Sequence, residues 1–574
     1  MTLRVALVQT DGNLPEPPEG FAELAAIGLA RLIGALGTPI ILADPAVLIG
    51  DAFYREAFRP CLGFESDAVQ AIVRTEGAWA VRNLWGNFIL AWRDAAGQVF
   101  VLRSPLTGPA LFQAEREGDG VSGPKACCAF TDLTLARALG FKLDRPDTGS
   151  IDAYLRHPLL RTSRATITGV TEVLPGEVSR LDMPGRRDAS WLPWTYATSP
   201  PKYADPRDLG DLVRACVRAW SGRFARVQLE LSGGIDSSIV AACLADRSDP
   251  WRAINMVTAE PDGDERVYAR AVAERANVDL AELMLPANAP DPIAPATALR
   301  VRPGGFGLIG PTDAAFLSSA RDFGADAIFS GTAGDGAFGY QTSIAPALDA
   351  LHYVGVRAAL RAARDQAKIT DDNIWSALRH GLRGYFRGIR LWPVDDLLLS
   401  RCRASDRPSH PWMVDADRVP PGQRRYGLGL LSIQPFLDGY DRALALPKIA
   451  PLLSQPLIEF GLGVPSWQWG EGGMNRALAR EAFRADLPDV VLTRRSKGRI
   501  LSMFLPAFEQ NRQRLARYLL DGWLAGADLI DLDAIADLLA GRRDADALAM
   551  LRILQFADIE GWARSIVGAN QADP

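Results

Sequence analysis

The sequence predicts an α/β protein in two parts: a β-rich amino-terminal region, then a doubly wound parallel sheet with extra helices. Three observations carry this. Short apolar runs separated by turn clusters fill the first ~195 residues. A proline-rich polar stretch follows, from Thr198 to Pro206. Beyond it, strand-length apolar runs alternate with segments of helical periodicity, the order that builds a parallel sheet with helices on both faces.

In the first part, Trp85 to Trp92 and Val99 to Arg103 read as strands separated by the turn Asp94-Ala95-Ala96-Gly97. The turn cluster Ser104 to Pro109 leads into Ala110-Leu111-Phe112, and Val173 to Glu177 and Trp191 to Trp194 come later. The proline-rich stretch sets the boundary, dividing the chain into 1–197 and 198–574. After it, Leu209, Leu212, Val213, Cys216, Val217 and Trp220 follow helical spacing. Strands are expected at Arg226–Leu231, Ala253–Val257, Leu280–Leu285 and Ala325–Ser330, and helices at Ser237–Leu244, Asp264–Ala276 and Thr312–Asp322. From about residue 345 the pattern is mainly helical.

Bulk properties exclude some classes. A net charge of −5 gives no footprint for general nucleic-acid binding. The apolar stretch Ile27 to Leu42 is interrupted by Arg31, Gly34, Gly37 and Pro39 and is too broken to span a bilayer. The first residues show no signal-peptide pattern. Six scattered cysteines without C-x-x-C spacing argue against zinc and for a reducing cytoplasm, with Cys216 and Cys243 as buried thiols. The four histidines stand apart from one another and read as structural.

The chemistry concentrates in Ser232-Gly233-Gly234-Ile235-Asp236-Ser237-Ser238, between an expected strand and an expected helix. Glycines let the backbone approach an anion, and free N–H groups at the helix start bind phosphate. The serine hydroxyls add donors. Asp236 would repel phosphate unless a cation lay between them, so its role is to hold Mg²⁺. A plain capped turn would explain a lone Ser-Gly-Gly, but not the whole string. Unlike G-x-x-x-x-G-K-[ST] it has no lysine. A second loop, Ser330-Gly331-Thr332-Ala333-Gly334-Asp335-Gly336, follows a later strand, so Asp335 is expected to share a crevice with Asp236. A third element, Arg494-Arg495-Ser496-Lys497-Gly498, would by itself pass for a solvated basic face.

SGGIDSS, SGTAGDGAFGY, PLLSQPLIEF (451–460) and RRSKG together resemble the synthetase domain of asparagine synthetase B and its relatives, in the family's order. The resemblance implies an ATP pyrophosphatase site. ATP would be contacted by Leu231, Ser232, Gly233, Gly234, Asp236, Ser237, Ser238, Val257, Ser330, Gly331 and Asp335. Mg²⁺ would sit on Asp236 and Asp335, and Lys497 would be the catalytic lysine that steadies charge on the phosphates and the acyl centre. Residues 85–92 and Arg103-Ser104-Pro105-Leu106-Thr107-Gly108 are similar to the family's amidotransferase domain, implying an Ntn-hydrolase-like αββα fold. That domain needs a nucleophilic cysteine where this chain has Thr2, so residues 1–197 are expected to be a relic that makes no ammonia.

The synthetase half departs from the family too. A family glutamate is Thr332 here, and the E-x-R-x-P-F-L-D segment becomes Pro447 to Ser454, without its carboxylates. Gly331 to Asp335 and Pro451 to Glu459 are most similar to lasso-peptide cyclases. This resemblance implies adenylation of an Asp or Glu side chain of a leader-cleaved precursor peptide and attack by the peptide's own amine. A leader peptidase and a leader-recognition protein would be partners, with neither nucleic acid nor membrane involved. The alternatives are a small-molecule amide ligase, of asparagine-synthetase or β-lactam-synthetase type, and a silent scaffold in a biosynthetic complex.

Overall fold

The computed structural model describes residues 3–65, 67–116, 125–197, 201–257, 264–284, 291–293, 299–304, 309–371, 398–399, 409–495, 505–543 and 546–568. Thr2, Ser496, Lys497 and Gly498 lie outside the described residues.

The first part is built on two six-stranded antiparallel sheets. Its central strands, such as Ala46–Tyr54 and Leu84–Arg93, are near-continuous apolar runs because both of their faces are buried. Val47, Ile49, Ile89, Ala91, Val99 and Val101 of one sheet share a core with Val5, Leu7 and Leu32 of the other, so the sheets pack face to face. The intervening residues turn outward onto helices. Leu48, Leu90 and Trp92 meet Ile72, Ala80 and Val81 of helices Ala68–Arg74 and Ala78–Asn83. Ala6, Val8, Cys128 and Phe130 meet Leu135 and Ile151 of helices Leu133–Ala138 and Thr148–Arg156. The result is four layers, helix–sheet–sheet–helix. The carboxy-terminal helices Leu505–Leu520, Leu532–Leu539 and Ala547–Gly568 join the last of these cores, returning the end of the chain to its beginning.

The second part carries a five-stranded parallel sheet, in spatial order Leu280–Met284, Trp251–Val257, Val227–Glu230, Ala327–Ser330, Lys448–Ile449. Four strands match expectation to within a residue or two at most ends. The two-residue edge strand Lys448–Ile449 was not foreseen, since so short a run in a helical region carries no period. Helices Pro206–Ser221, Ile235–Leu244 and Arg266–Arg275 bury Val213, Val217, Ile239, Val240 and Val272 in one core with Leu229 and Phe329. Helix Gly310–Phe323 lies on the opposite face, where the Phe316 carbonyl accepts from the Gln228 amide. The long helix opens at Pro206, with Asp205 accepting from the Arg207 N–H, so the proline-rich stretch ends in a helix cap.

The two parts meet along a polar and aromatic seam. Phe53 stacks on Trp85 with ring centroids 4.5 Å apart, and Trp220 meets Phe53 edge-on at 4.9 Å. Glu459 accepts from the Trp191 indole at 2.8 Å and pairs with Arg55. Gln455 donates to the Val81 carbonyl at 2.9 Å, and Ser454 accepts from the Trp220 indole at 3.1 Å. Segment 451–460 is therefore joinery between the two parts. Cys216 is buried and free as expected, whereas Cys243 is only half-buried. Among the described residues no helix is long and apolar enough to cross a membrane.

Candidate active site

Val227–Glu230 lies at the centre of the parallel sheet, next to Ala327–Ser330, with Glu230 level with Ser330. The chain runs from this central strand outward one way and returns on its other side. The crevice beyond their carboxyl ends is thus the switch point where ligands bind in such sheets. Both glycine-rich loops leave from there. Leu231 follows one strand and Val257 ends its neighbour at the same edge, and the Asn255 amide fixes the Leu231 carbonyl at 2.7 Å.

The first loop is shaped by its own hydroxyls. Ser237 Oγ accepts from the Ser232 N–H at 3.2 Å, and Ser238 Oγ donates to the Gly234 carbonyl at 2.8 Å. Ser238 is fully buried and serves the loop's shape, while Ser232 is exposed. Gly233 has φ +70°, and a Cβ there would fall 2.5 Å from the Tyr268 Cβ. The helix Ile235–Leu244 starts at Gly234 without a side-chain cap, so its first N–H groups keep their capacity for an anion.

The second loop interlocks with the first. Cβ atoms at Gly331 and Gly334 would fall 2.5 Å from the Ser237 nitrogen and 2.3 Å from the Asp236 Cγ. Only glycine allows this approach. Asp335 sits in the single-turn helix Gly334–Ala337, and Ser330 Oγ donates to Thr332 Oγ1 at 2.8 Å. The structure thus brings together the described residues of both glycine-rich loops.

Arg476 completes the site, and the sequence reading missed it. One guanidinium nitrogen lies 2.7 Å from Asp236 Oδ2 and 2.9 Å from Asp335 Oδ1. Burial opposes its charge, but the two aspartates outweigh burial and raise its pKa. Its backbone is left-handed, φ +56°, on a turn held by Arg480, which donates to the Asn475 carbonyl at 2.9 Å and its side-chain oxygen at 3.1 Å. Arg480 also donates to the carbonyls of Val491, Leu492 and Arg494, tying the approach to the RRSKG run to the same turn. No local pattern marks Arg476, which is distant in sequence from both aspartates.

The basic run needs a correction. Arg494 is not a solvated charge: its side chain is 8% exposed, pairs with Glu265 at 2.6 Å, lies 3.9 Å over the Tyr268 ring and donates to the Gly233 carbonyl at 3.3 Å. It clamps the first glycine-rich loop. Arg495 is exposed, as expected.

Two carboxylate oxygens converging on one cationic nitrogen mark a place for positive charge. They suit a Mg²⁺ that takes one or two carboxylates and leaves its other positions to phosphate and water. Among the described residues no group of three or more His, Cys, Asp or Glu is placed to hold a metal ion.

Residues 208–564, well over half of the chain, match the family model for asparagine synthase. No curated protein matches the chain. The matched span contains both interlocked loops, Arg476 and the basic run. The chain therefore belongs to the asparagine synthase family, the ATP-dependent ligases that form amide bonds.

Proposed function

We propose that the protein is a lasso-peptide cyclase. A carboxylate on an Asp or Glu side chain of a leader-cleaved precursor peptide attacks the α-phosphorus of ATP, giving an acyl-adenylate and releasing pyrophosphate. The peptide's own α-amine then attacks the acyl carbon. The C–N bond forms, the bond to AMP breaks, and the ammonium proton passes to solvent.

One observation carries this reading: the ATP loops are intact and interlocked, while the family's substrate-side carboxylates are gone. Thr332 shares a hydrogen bond with Ser330, and Ser454 is turned into the seam. Nucleotide machinery without the amino-acid-specific groups suits a different acyl donor. Mg²⁺ would be held by Asp236 and Asp335, neutralising phosphate charge, with Arg476 and Lys497 as the protein's own cations. Residues 1–197 would be an amidotransferase relic, and residues 198–574 the ligase. A leader peptidase and a leader-recognition protein would supply the cleaved peptide, in the cytoplasm.

The test is mass spectrometry of ATP reactions with candidate leader-cleaved peptides, with and without a partner peptidase. A peptide lighter by one water, with AMP and pyrophosphate, is expected. ADP and phosphate would overturn the mechanistic class, and a small amide product would replace the cyclase with a small-molecule ligase. No ATP turnover at all would leave a scaffold. Glutamate release from glutamine, abolished by Thr2→Ala, would overturn the relic.

A further inference from the structure

Arg103 stands in the worn amidotransferase turn, for which the proposed chemistry has no use. The structure employs it elsewhere. Its guanidinium is almost wholly buried, donates to the Gly108 carbonyl at 3.1 Å and to Glu172 at 2.8 Å, and reaches Gln434 Oε1 at 3.3 Å. Glu172, itself 0% exposed, is a hub. Arg302 pairs with its other oxygen at 2.6 Å, and Arg161 lies 3.8 Å away. Arg161 in turn grips both carboxylate oxygens of Asp438, and Gln434 donates to the Leu106 carbonyl at 2.9 Å. Two arginines and a carboxylate of the antiparallel part thus fasten Gln434 and Asp438 of the parallel part.

The fastened segment, residues 430–442, borders the site at both ends. At one end Leu430 and Ile433 pack against the Asp335 turn: a Cβ at Gly336 would fall 2.7 Å from Ile433 Cδ1 and 3.3 Å from Leu430 Cδ2. At the other end Arg442 donates to Glu230 at 2.8 Å and pairs with Asp313. Glu230 ends the strand that feeds the Ser232 loop. Displacing the segment would therefore move the backing of both phosphate loops.

We propose that Glu172, through Arg103 and Arg161, is a positioning hub for the nucleotide site, so that the antiparallel part supports the ligase by holding residues 430–442 instead of by supplying an amine. Asp335 is the group whose placement depends most directly on this hold. In that respect the inference rests on the reading of Asp236 and Asp335 as Mg²⁺ ligands.

Binding of α,β-methylene-ATP to the full chain, measured by calorimetry with and without Mg²⁺, tests it without needing a peptide. Asp438→Ala and Gln434→Leu each cut one tie. Asp438→Glu keeps a carboxylate for Arg161. Asp182→Ala breaks the Arg180–Asp182 pair at 2.6 Å, a comparably exposed link that does not touch the hub. We expect Asp438→Ala and Gln434→Leu each to reduce the Mg²⁺-dependent gain in affinity at least ~5-fold, Asp438→Glu to recover most of it, and Asp182→Ala to change nothing; such shifts are the size of ordinary coupling between connected residues. An intact gain in both variants overturns the proposal, and so does an equal loss in Asp182→Ala, which would mark general destabilisation. If the parent itself shows no gain with Mg²⁺, the metal reading falls. The hub is then judged on metal-free affinity through the Glu230 arm, and unchanged affinity in both variants overturns it.

Discussion

Gly334 lies directly against Asp236: a Cβ on Gly334 would stand 2.3 Å from the carboxylate carbon and 2.6 Å from Oδ1. The obstacle is the side chain proposed to hold Mg²⁺, and Arg476 also holds it, at Oδ2. Gly334→Ala must therefore displace Asp236 or the Asp335 turn. Overpacking of this kind costs about 1–3 kcal/mol of stability. The loss of ligase activity should be far larger than that modest fall in stability would suggest. A melting curve beside a pyrophosphate-release assay separates the two, and near-parental turnover would contradict the interlock.

Asp236→Asn and Asp335→Asn should each remove Mg²⁺-dependent turnover, because an amide oxygen is a poor substitute for a carboxylate on a hard cation. Arg476→Met should behave differently. It takes a guanidinium from between two neighbouring carboxylates, which then repel one another more strongly. Added Mg²⁺ should raise the melting temperature of Arg476→Met more than that of the parent, and should do least for Asp335→Asn. Equal responses in all three would dissociate the arginine from the metal position.

The basic run should divide by role. Lys497→Ala is expected to bind ATP almost normally and to form product more slowly by on the order of 10²–10³, as when one preorganised donor to a developing charge is lost. Arg494→Ala should instead weaken nucleotide binding, since it releases the Gly233 carbonyl and leaves Glu265 without this partner. Arg495→Ala should be near neutral. Nucleotide titration and single-turnover rates on the three variants distinguish these outcomes. A Lys497→Ala enzyme at the parental rate would move the catalytic cation elsewhere.

Acid should act through Glu172. Burial by itself would lift its carboxyl, but Arg302, Arg161 and Arg103 outweigh burial and pull it down to about 2. A depressed carboxylate stabilises the fold above the unfolded-state value, and that stability disappears as pH falls toward the folded-state value. The window is therefore from about pH 5 down to about 2, and the contribution is of the order of 3 kcal/mol. Denaturant melts between pH 7 and pH 3 should show a shallower acid limb in Glu172→Gln than in the parent. Identical slopes would show that this carboxyl titrates normally.

What could be read beforehand was what the chain writes locally. The phosphate loop is seven consecutive residues between a strand and a helix, and period-two and period-3.6 patterns located most of the parallel sheet. Asp335 could be paired with Asp236 because strand ends in such a sheet share one crevice. Arg476 could not be read, because its meaning comes from a left-handed turn that brings it to two distant aspartates. Arg494 was misread for a related reason. A basic run looks solvated until a partner such as Glu265 and a ring such as Tyr268 close over it. The strand Lys448–Ile449 is too short to show a period.

The aromatic seam bears on how the chain holds together. Phe53 and Trp85 on one side and Trp220 on the other are buried against one another, and in the same core Trp191 packs on Trp412. Large aromatic side chains each remove roughly 150–250 Å² from water. The link through residues 201–205 contributes less: Tyr203 meets Trp467 edge-on at 6.4 Å, and Ala204 exchanges two hydrogen bonds with Gln468. Cohesion of the particle thus rests chiefly on its interior and less on the backbone of that joint. A chain nicked there would keep both pieces in one body, with the phosphate loops still backed from across the cut.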